Sequence, residues 1–346
     1  MRIAYILPSL DAKAPIFLAK RLSDYFFECG NMVTVFYFDD ICKTPFNCPV
    51  QQIKMSEPID FDTFDIVHSH MYRPDRYVAK YSHLINHAKT VSTIHCNIKE
   101  DLSYSYGRLV SCAFSKIWLK SLSKFDAAVQ INDYLMDLYK KPLPQSRLIY
   151  NGISLSPEKD DYSKIEEKIR CFHAEGRKVI CSYSGIVERK GLLQILRLLK
   201  VRHDLAYVCI GEGAQKRELE DFAESNGIKD RVFFSPFKKN PYYVMESADI
   251  FAIPSYSEGF SLALLEAGSV GASVVCSDIP SFSRPFSTSE VSFFTLNDTA
   301  SLSRAVDEAI LQKECKKVAL KEKIESTFSE QKMFGSYEEV YRGDFV

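Results

Sequence analysis

Short apolar runs alternate with helical patterns along almost the whole chain, and they do so in two series. The first opens with RIAYIL, a helix pattern over Pro15–Cys29 and MVTVFYF, and continues through DIVHSH and TVSTIHC. The second runs KVICSYSG, KGLLQILRLLK, LAYVCIGEG, AQKRELEDFAES, RVFFSPF, Tyr242–Ala248, DIFAIPS, SVVCSD and Ala300–Leu311. Apolar strands joined by amphipathic helices call for parallel sheets covered on both faces, so the expected fold class is α/β. Between the two series, NGISLSPEKDDYSKIEEK carries turn residues and a dense run of charge, which suits a linker with a boundary near residues 155–175. Ligands of open α/β sheets bind beyond the carboxyl ends of the strands, so two facing sheets would share a site in the cleft between them.

A chain of 346 residues is long for one core, which supports two domains. Its net charge of −1 provides no broad basic field for nucleic acid. No apolar run reaches transmembrane length, and Met1–Leu10 reads as a buried first strand rather than a signal peptide. The ten cysteines are scattered without a C-x-x-C pair, and Cys181, Cys209 and Cys276 fall in strand-like runs. That usage fits a reduced, cytoplasmic protein in which free thiols pack as small hydrophobes.

One stretch resists a purely structural account. In YSEGFSLALLEAG, Tyr256–Gly268, a second acid, Glu266, stands eight residues after Glu258 inside the otherwise apolar run Leu262–Ala267. Gly259 follows Glu258 directly after the strand DIFAIPS, and Phe260 and Ser261 open a helix. A helix start presents unsatisfied N–H groups at the positive end of the macrodipole, and a glycine there lets a ligand approach the backbone. Ser261 to Glu266 is five helical steps of ~1.5 Å, about 7–8 Å, which is roughly the separation between a diphosphate and the ribose hydroxyls of a nucleotide. The plainer alternative makes Glu258 a solvated first-turn acid and turns Glu266 to water.

These residues do not stand alone. E-G-F-S-L-x-x-x-E, here Glu258 to Leu262 with Glu266-Ala267, is followed by Gly271, Val274-Val275 and Ser277-Asp278. This pattern resembles the signature of the family 4 retaining glycosyltransferases, which have the GT-B fold. DIVHSH (Asp65–His70), TIHC (Thr93–Cys96), LIYNGIS, VERKG (Val187–Gly191), IGEG (Ile210–Gly213) and ADIFAIPS (Ala248–Ser255) are similar to further segments of that family, in its order. FSEQKMFGSYEEVYR resembles its last helix, which crosses back to the first domain.

The resemblance implies two facing Rossmann-like domains with a cleft between them. The first is an acceptor-side domain over 1–160 completed by a crossover helix at about 330–346. The second, over 170–329, holds the nucleotide-sugar donor. It implies transfer of a hexose or N-acetylhexosamine, with retention, from a nucleotide-diphosphate sugar to a glycan acceptor. No metal or other cofactor is required, and a uridine diphosphate donor is favoured over a guanosine one. Bacterial surface polysaccharide synthesis, of lipopolysaccharide O-antigen or capsule, is the implied setting. Catalysis is then mainly positioning and neutralisation of developing negative charge, and the departing diphosphate helps to deprotonate the acceptor.

By the same resemblance Lys190 and Arg189 face the diphosphate, Glu258 holds sugar hydroxyls, and Glu266 the ribose. Gly259, Phe260, Ser261 and Leu262 cradle the phosphates, with Gly185 nearby, and Phe237 and Lys238 border the base. His95 matches the histidine near the transferred sugar, and Ser9, Leu10 and His70 lie on the acceptor side. Two departures stand out. PSLDAKAP (Pro8–Pro15) lacks the glycine pair many members carry after the first strand. Gly185 also occupies the place of an arginine, for which Arg189 is the candidate substitute.

Five of the seven histidines fall between His68 and His95, so zinc is a rival reading, but no third ligand stands at an obvious position. His83 and His87 are expected on a surface helix, and DFD (Asp60–Asp62) in a polar turn. Two other function classes fit the same architecture: a sugar-nucleotide epimerase and a non-catalytic nucleotide-sugar-binding protein. Finally, the segment Arg108–Lys124 has four basic residues and no acidic one. Lys116, Lys120 and Lys124 would form one helical stripe beside Leu109, Ala113, Phe114, Ile117 and Trp118. The expectation is peripheral contact with anionic lipid at the inner face of the cytoplasmic membrane, in keeping with a lipid-linked acceptor.

Overall fold

The computed structural model of the protein describes residues 1–343, apart from the side chains of residues 105, 106 and 108. The Arg108 side chain and the last three residues of the expected C-terminal helix therefore lie outside the described residues. The chain divides into two compact units, Met1–Asn151 with Glu330–Val346, and Gly152–Ser329.

The first unit holds a seven-stranded parallel sheet of β1 (Arg2–Leu7), β2 (Met32–Tyr37), β3 (Val50–Gln52), β4 (Ile66–His70), β5 (Lys89–Ile94), β6 (Ala127–Gln130) and β7 (Ser146–Leu148). Their spatial order is β3-β2-β1-β4-β5-β6-β7. β4 is buried at every residue, as expected of a strand covered on both faces. One face packs on the helix Ala14–Glu28 through Ile16, Leu18, Leu22 and Phe26. The helix Glu330–Arg342 joins the same core through Met333, Phe334, Tyr337, Val340 and Tyr341 and is grouped with Met1–Asn151. Tyr25 and Phe334 stack with centroids 4.0 Å apart.

The second unit holds a six-stranded parallel sheet of β8 (Lys178–Tyr183), β9 (Leu205–Ile210), β10 (Val232–Ser235), β11 (Ile250–Ile253), β12 (Val274–Ser277) and β13 (Ser292–Phe294). Their order is β10-β9-β8-β11-β12-β13. The fold class is thus α/β with two parallel sheets. The supposed linker is helical from Ser163 to Ala174, because Ile165, Ile169 and Phe172 form a buried stripe at helical spacing that its charges obscure. His83 lies in a short 3₁₀ turn, Ser82–Leu84, and His87 in the loop beyond it, so neither sits on the α-helix expected there. Asp62 is in a turn, where its carboxylate accepts from the Asn86 backbone and side chain.

The helix Arg108–Leu122 forms as expected but stops before Lys124. The Lys124 ammonium turns back to the Ala79 carbonyl at 2.9 Å, so it leaves the stripe and only Lys116 and Lys120 remain on the exposed helical face. Leu109 (90% exposed), Val110, Phe114 and Ile117 share that face. Trp118 points inward and donates to buried Asp75 at 2.6 Å. Asp75 also accepts from Ser69 and Ser92 of β4 and β5, which ties the helix to the sheet. Burial pushes its carboxyl up to about 7 against these three donors. Among the described residues no helix is long and apolar enough to cross a membrane.

Candidate active site

In the second unit, the segments after β8 and β11 are laced together at the carboxyl ends of their strands. Arg189 donates from its guanidinium to the Ser257 carbonyl at 2.7 Å, and the Tyr256 N–H donates to the Arg189 carbonyl at 2.9 Å. Gly191 makes the close turn possible. It sits at φ +64°, and a Cβ there would lie 2.1 Å from the Pro254 carbonyl oxygen. Gln194, buried behind the turn, donates to that same oxygen at 2.8 Å and accepts from the Asn297 N–H at 2.7 Å.

This lacing holds Glu258, 7% exposed, against two cations. Its Oε1 accepts from the Lys190 ammonium at 2.6 Å and from the Ser255 hydroxyl at 2.7 Å. Its Oε2 has the Arg189 guanidinium at 3.6 Å, beyond hydrogen-bond range. Burial works against the charge on Glu258, but the Lys190 and Arg189 charges and the two hydrogen bonds outweigh it, and its carboxyl lies below the ordinary glutamate range. The Ser281 hydroxyl fixes the Glu258 backbone carbonyl at 2.6 Å. Two cations to one carboxylate leave the cluster with an excess positive charge.

Gly259 and Phe260 follow, both buried, and Ser261 caps the helix Leu262–Ser269 by accepting from the Leu264 N–H. The helix therefore starts within four residues of the charge cluster, with its positive end at the same turn. Glu266, half-buried on that helix, raises the hydroxyl pKa values of Tyr183 and Tyr242, although burial is the larger cause for both; Tyr242 is pushed up to about 12. Tyr183 ends β8 with its ring 5.9 Å from that of Phe237, which is 56% exposed. Lys238 pairs with Asp160 at 3.7 Å. Gly185 is exposed, and a Cβ there would meet only the Glu212 carbonyl oxygen at 3.9 Å, so its local space admits a side chain.

In the first unit, Ser9 and Leu10 are buried just past β1, with the Leu10 N–H bonded to the Ile41 carbonyl. His70, at the end of β4, is fully buried, and its Nδ1 lies 2.9 Å from Nε2 of His95, which follows β5. A second network runs beside them. His68 Nδ1 meets the Tyr341 hydroxyl at 2.6 Å, and its Nε2 meets the Thr93 hydroxyl at 2.9 Å. Tyr5 reaches Tyr341, and Tyr337 reaches Thr93, at 2.9 Å each. Burial pushes the His68 and His95 imidazoles down to about 3 and His70 well below its usual value, so all three are neutral near pH 7. Among the described residues no group of three His, Cys, Asp or Glu is arranged to hold a metal.

Gln194, Ser255, Ser281 and Tyr183 in the second unit, and Tyr337 and Tyr341 in the first, had drawn no attention in the sequence. Gln194 lies in an apolar helical pattern, where a lone polar residue is a weak signal that it bonds to a neighbouring loop. Ser255, Tyr337 and Tyr341 fall inside segments already matched to the family, but nothing in their spacing marks them as hydrogen-bonding partners, and Ser281 stands in no motif.

Comparison with known proteins adds four findings. Residues 163–326 match the family described as glycosyl transferases group 1. The whole chain is 28% identical to an O-antigen biosynthesis glycosyltransferase, WclY, of Escherichia coli, with 100% of this chain and 99% of that protein covered. A Campylobacter jejuni protein is 31% identical over 44% of this chain and 47% of its own length. It is an N-acetylgalactosamine-N,N'-diacetylbacillosaminyl-diphospho-undecaprenol 4-alpha-N-acetylgalactosaminyltransferase. Among solved structures, Anabaena HepE in complex with UDP and glucose superposes with a TM-score of 0.82 at 15% identity, covering 98% of this chain and 99% of that one. The two parallel sheets match the GT-B fold.

Proposed function

We propose that the protein is a retaining glycosyltransferase of bacterial surface polysaccharide synthesis. It moves a hexose or N-acetylhexosamine from a uridine diphosphate sugar to a lipid-linked glycan acceptor. One observation carries the reading: a buried carboxylate held by two cations, at the turn that also starts a helix. The group 1 match over the same unit and the full-length similarity to the O-antigen enzyme support it.

In this reading Lys190, Arg189 and the start of the helix Leu262–Ser269 neutralise the diphosphate. Glu258 offers Oε2, the oxygen without a hydrogen bond, to a hydroxyl of the sugar. Glu266 takes the ribose hydroxyls, and the exposed ring of Phe237 beside Tyr183 takes the base. The departing diphosphate accepts the acceptor proton. His95, His70, Ser9 and Leu10 serve the acceptor and the transferred sugar from the first unit.

Incubation with a panel of UDP-, GDP- and dTDP-sugars tests the reading, with donor hydrolysis and transfer to a lipid-linked glycan as readouts. The expected result is turnover of a UDP-sugar with retained anomeric configuration, abolished in Glu258→Ala and reduced through a raised donor KM in Glu266→Ala. Full activity of Glu258→Ala, or isomerisation of the donor without any acceptor, overturns it.

The protein works, in the same reading, at the inner face of the cytoplasmic membrane, with Leu109, Val110, Phe114 and Ile117 dipping into the interface and Lys116 and Lys120 facing anionic headgroups. Flotation with anionic vesicles should be lost when Lys116 and Lys120 are changed to Glu. Undiminished binding removes the membrane from the account.

A further inference from the structure

The bond between His70 and His95 has a direction, and the surroundings of the two rings decide it. Each ring carries one proton, so one nitrogen of the pair donates and the other accepts. His70 Nε2 is buried and has no protein partner. Among the described residues His95 Nδ1 has no protein partner either, but it is not one of the fully buried unpartnered atoms, and His95 is only half-buried. If His95 donated from Nε2, His70 would carry its own proton on Nε2, as a buried N–H with nothing to receive it. The reverse arrangement leaves only a buried lone pair on His70. An orphaned N–H is the rarer and costlier of the two. The His70 ring cannot easily turn to escape this choice, because it is packed against His68 at 4.3 Å and Tyr5 at 6.2 Å between centroids.

We propose that His70 is a positioning residue: it donates from Nδ1 to His95 Nε2 and thereby fixes His95 as the tautomer whose Nδ1–H is a hydrogen-bond donor to a ligand oxygen. His95 in this state offers no free lone pair, so it cannot take the proton of an acceptor hydroxyl. It can only hold and polarise an oxygen, whether a sugar hydroxyl or the ring substituent of the glycan. The identity of that oxygen rests on the glycosyltransferase reading above; the tautomer does not.

The test is a long-range ¹H–¹⁵N correlation spectrum of the full-length protein with ¹⁵N-labelled histidine at pH 7, assigned through His95→Gln. The proposal predicts a protonated Nδ1 and a bare Nε2 on His95. His70→Asn places an amide N–H close to the position of Nδ1–H and should keep that spectrum. His70→Leu removes the donor, should give a mixed His95 tautomer, and should lower kcat about tenfold or more, as expected for one lost hydrogen bond near the reacting sugar, with little change in donor KM. A bare Nδ1 in the wild-type spectrum overturns the proposal, as does an unchanged His95 spectrum in His70→Leu. Should His70→Leu not fold, the wild-type spectrum still decides. Absence of any sugar transfer by the wild-type protein would overturn the glycosyltransferase reading and leave the spectral result standing.

Discussion

Gly191 and Gly185 stand six residues apart on the same loop, and replacing each with alanine should have opposite consequences. At Gly191 the backbone is left-handed, φ +64°, which costs an L-residue roughly 1–2 kcal/mol. The new Cβ would also sit 2.1 Å from the Pro254 carbonyl oxygen, so Pro254 must move by about 1 Å to restore ordinary contact. That oxygen accepts from Gln194, a bond worth about 1 kcal/mol. Together these give a destabilisation of roughly 2–4 kcal/mol, or a fall in unfolding temperature of roughly 5–15 °C for a domain of this size. Ser255 follows Pro254 and bonds Glu258, so the shift should also loosen the charge cluster and lower donor turnover. Gly185→Ala, with its nearest neighbour at 3.9 Å, should unfold within a degree or two of the parent. Thermal and urea unfolding of the two variants, with donor hydrolysis measured in parallel, checks this. A Gly191→Ala protein within about 0.5 kcal/mol of the parent would refute the argument that this turn must close on Pro254.

Two further outcomes follow from packing and charge. His68, His70 and His95 are neutral when folded but would bind protons when unfolded from about pH 6.5 downward, so their contribution to stability is present above that pH and lost as the pH falls toward 3. Asp75, raised to about 7, works the other way between pH 7 and its unfolded value, so the net loss should be about 2–3 kcal/mol per pH unit near pH 5, read from urea midpoints at pH 5 and 7.5. An alanine at Gly268 would bring its Cβ to 2.4 Å from Ile324 and 2.7 Å from Leu320 on the helix Lys313–Thr327. It should destabilise by about 1–2 kcal/mol despite better helix propensity, and Leu320→Ala in the same protein should relieve part of the strain, as a double-mutant cycle would show.

Most of the sheet strands could be read from the sequence because runs such as IVHSH and LAYVCI are buried on both faces and bounded by turns. β3, β6, β7 and β13 were harder to see: three or four residues are too few to show a period. The helix Ser163–Ala174 was masked by its own charges, since a solvated face of Lys and Glu looks like a linker until the spacing of Ile165, Ile169 and Phe172 is counted. At the candidate site, residue types and the eight-residue interval from Glu258 to Glu266 were visible, because a helix places them by arithmetic. The ion pair between Lys190 and Glu258 was not. The two residues are 68 positions apart, and only the pairing of β8 with β11 brings their loops together. Lys124 shows the opposite failure, where a perfect four-residue spacing ran past the end of the helix that was meant to display it.

The central claim is that the cation pair around Glu258 reads a diphosphate, and calorimetric titration with UDP and with uridine tests it most directly. The account predicts that the wild-type protein binds UDP at least about 100-fold more tightly than uridine, and that Lys190→Ala narrows the gap to about tenfold or less while leaving uridine affinity unchanged. Equal affinity for the two ligands, or a Lys190→Ala protein that still prefers UDP to the full extent, would contradict it.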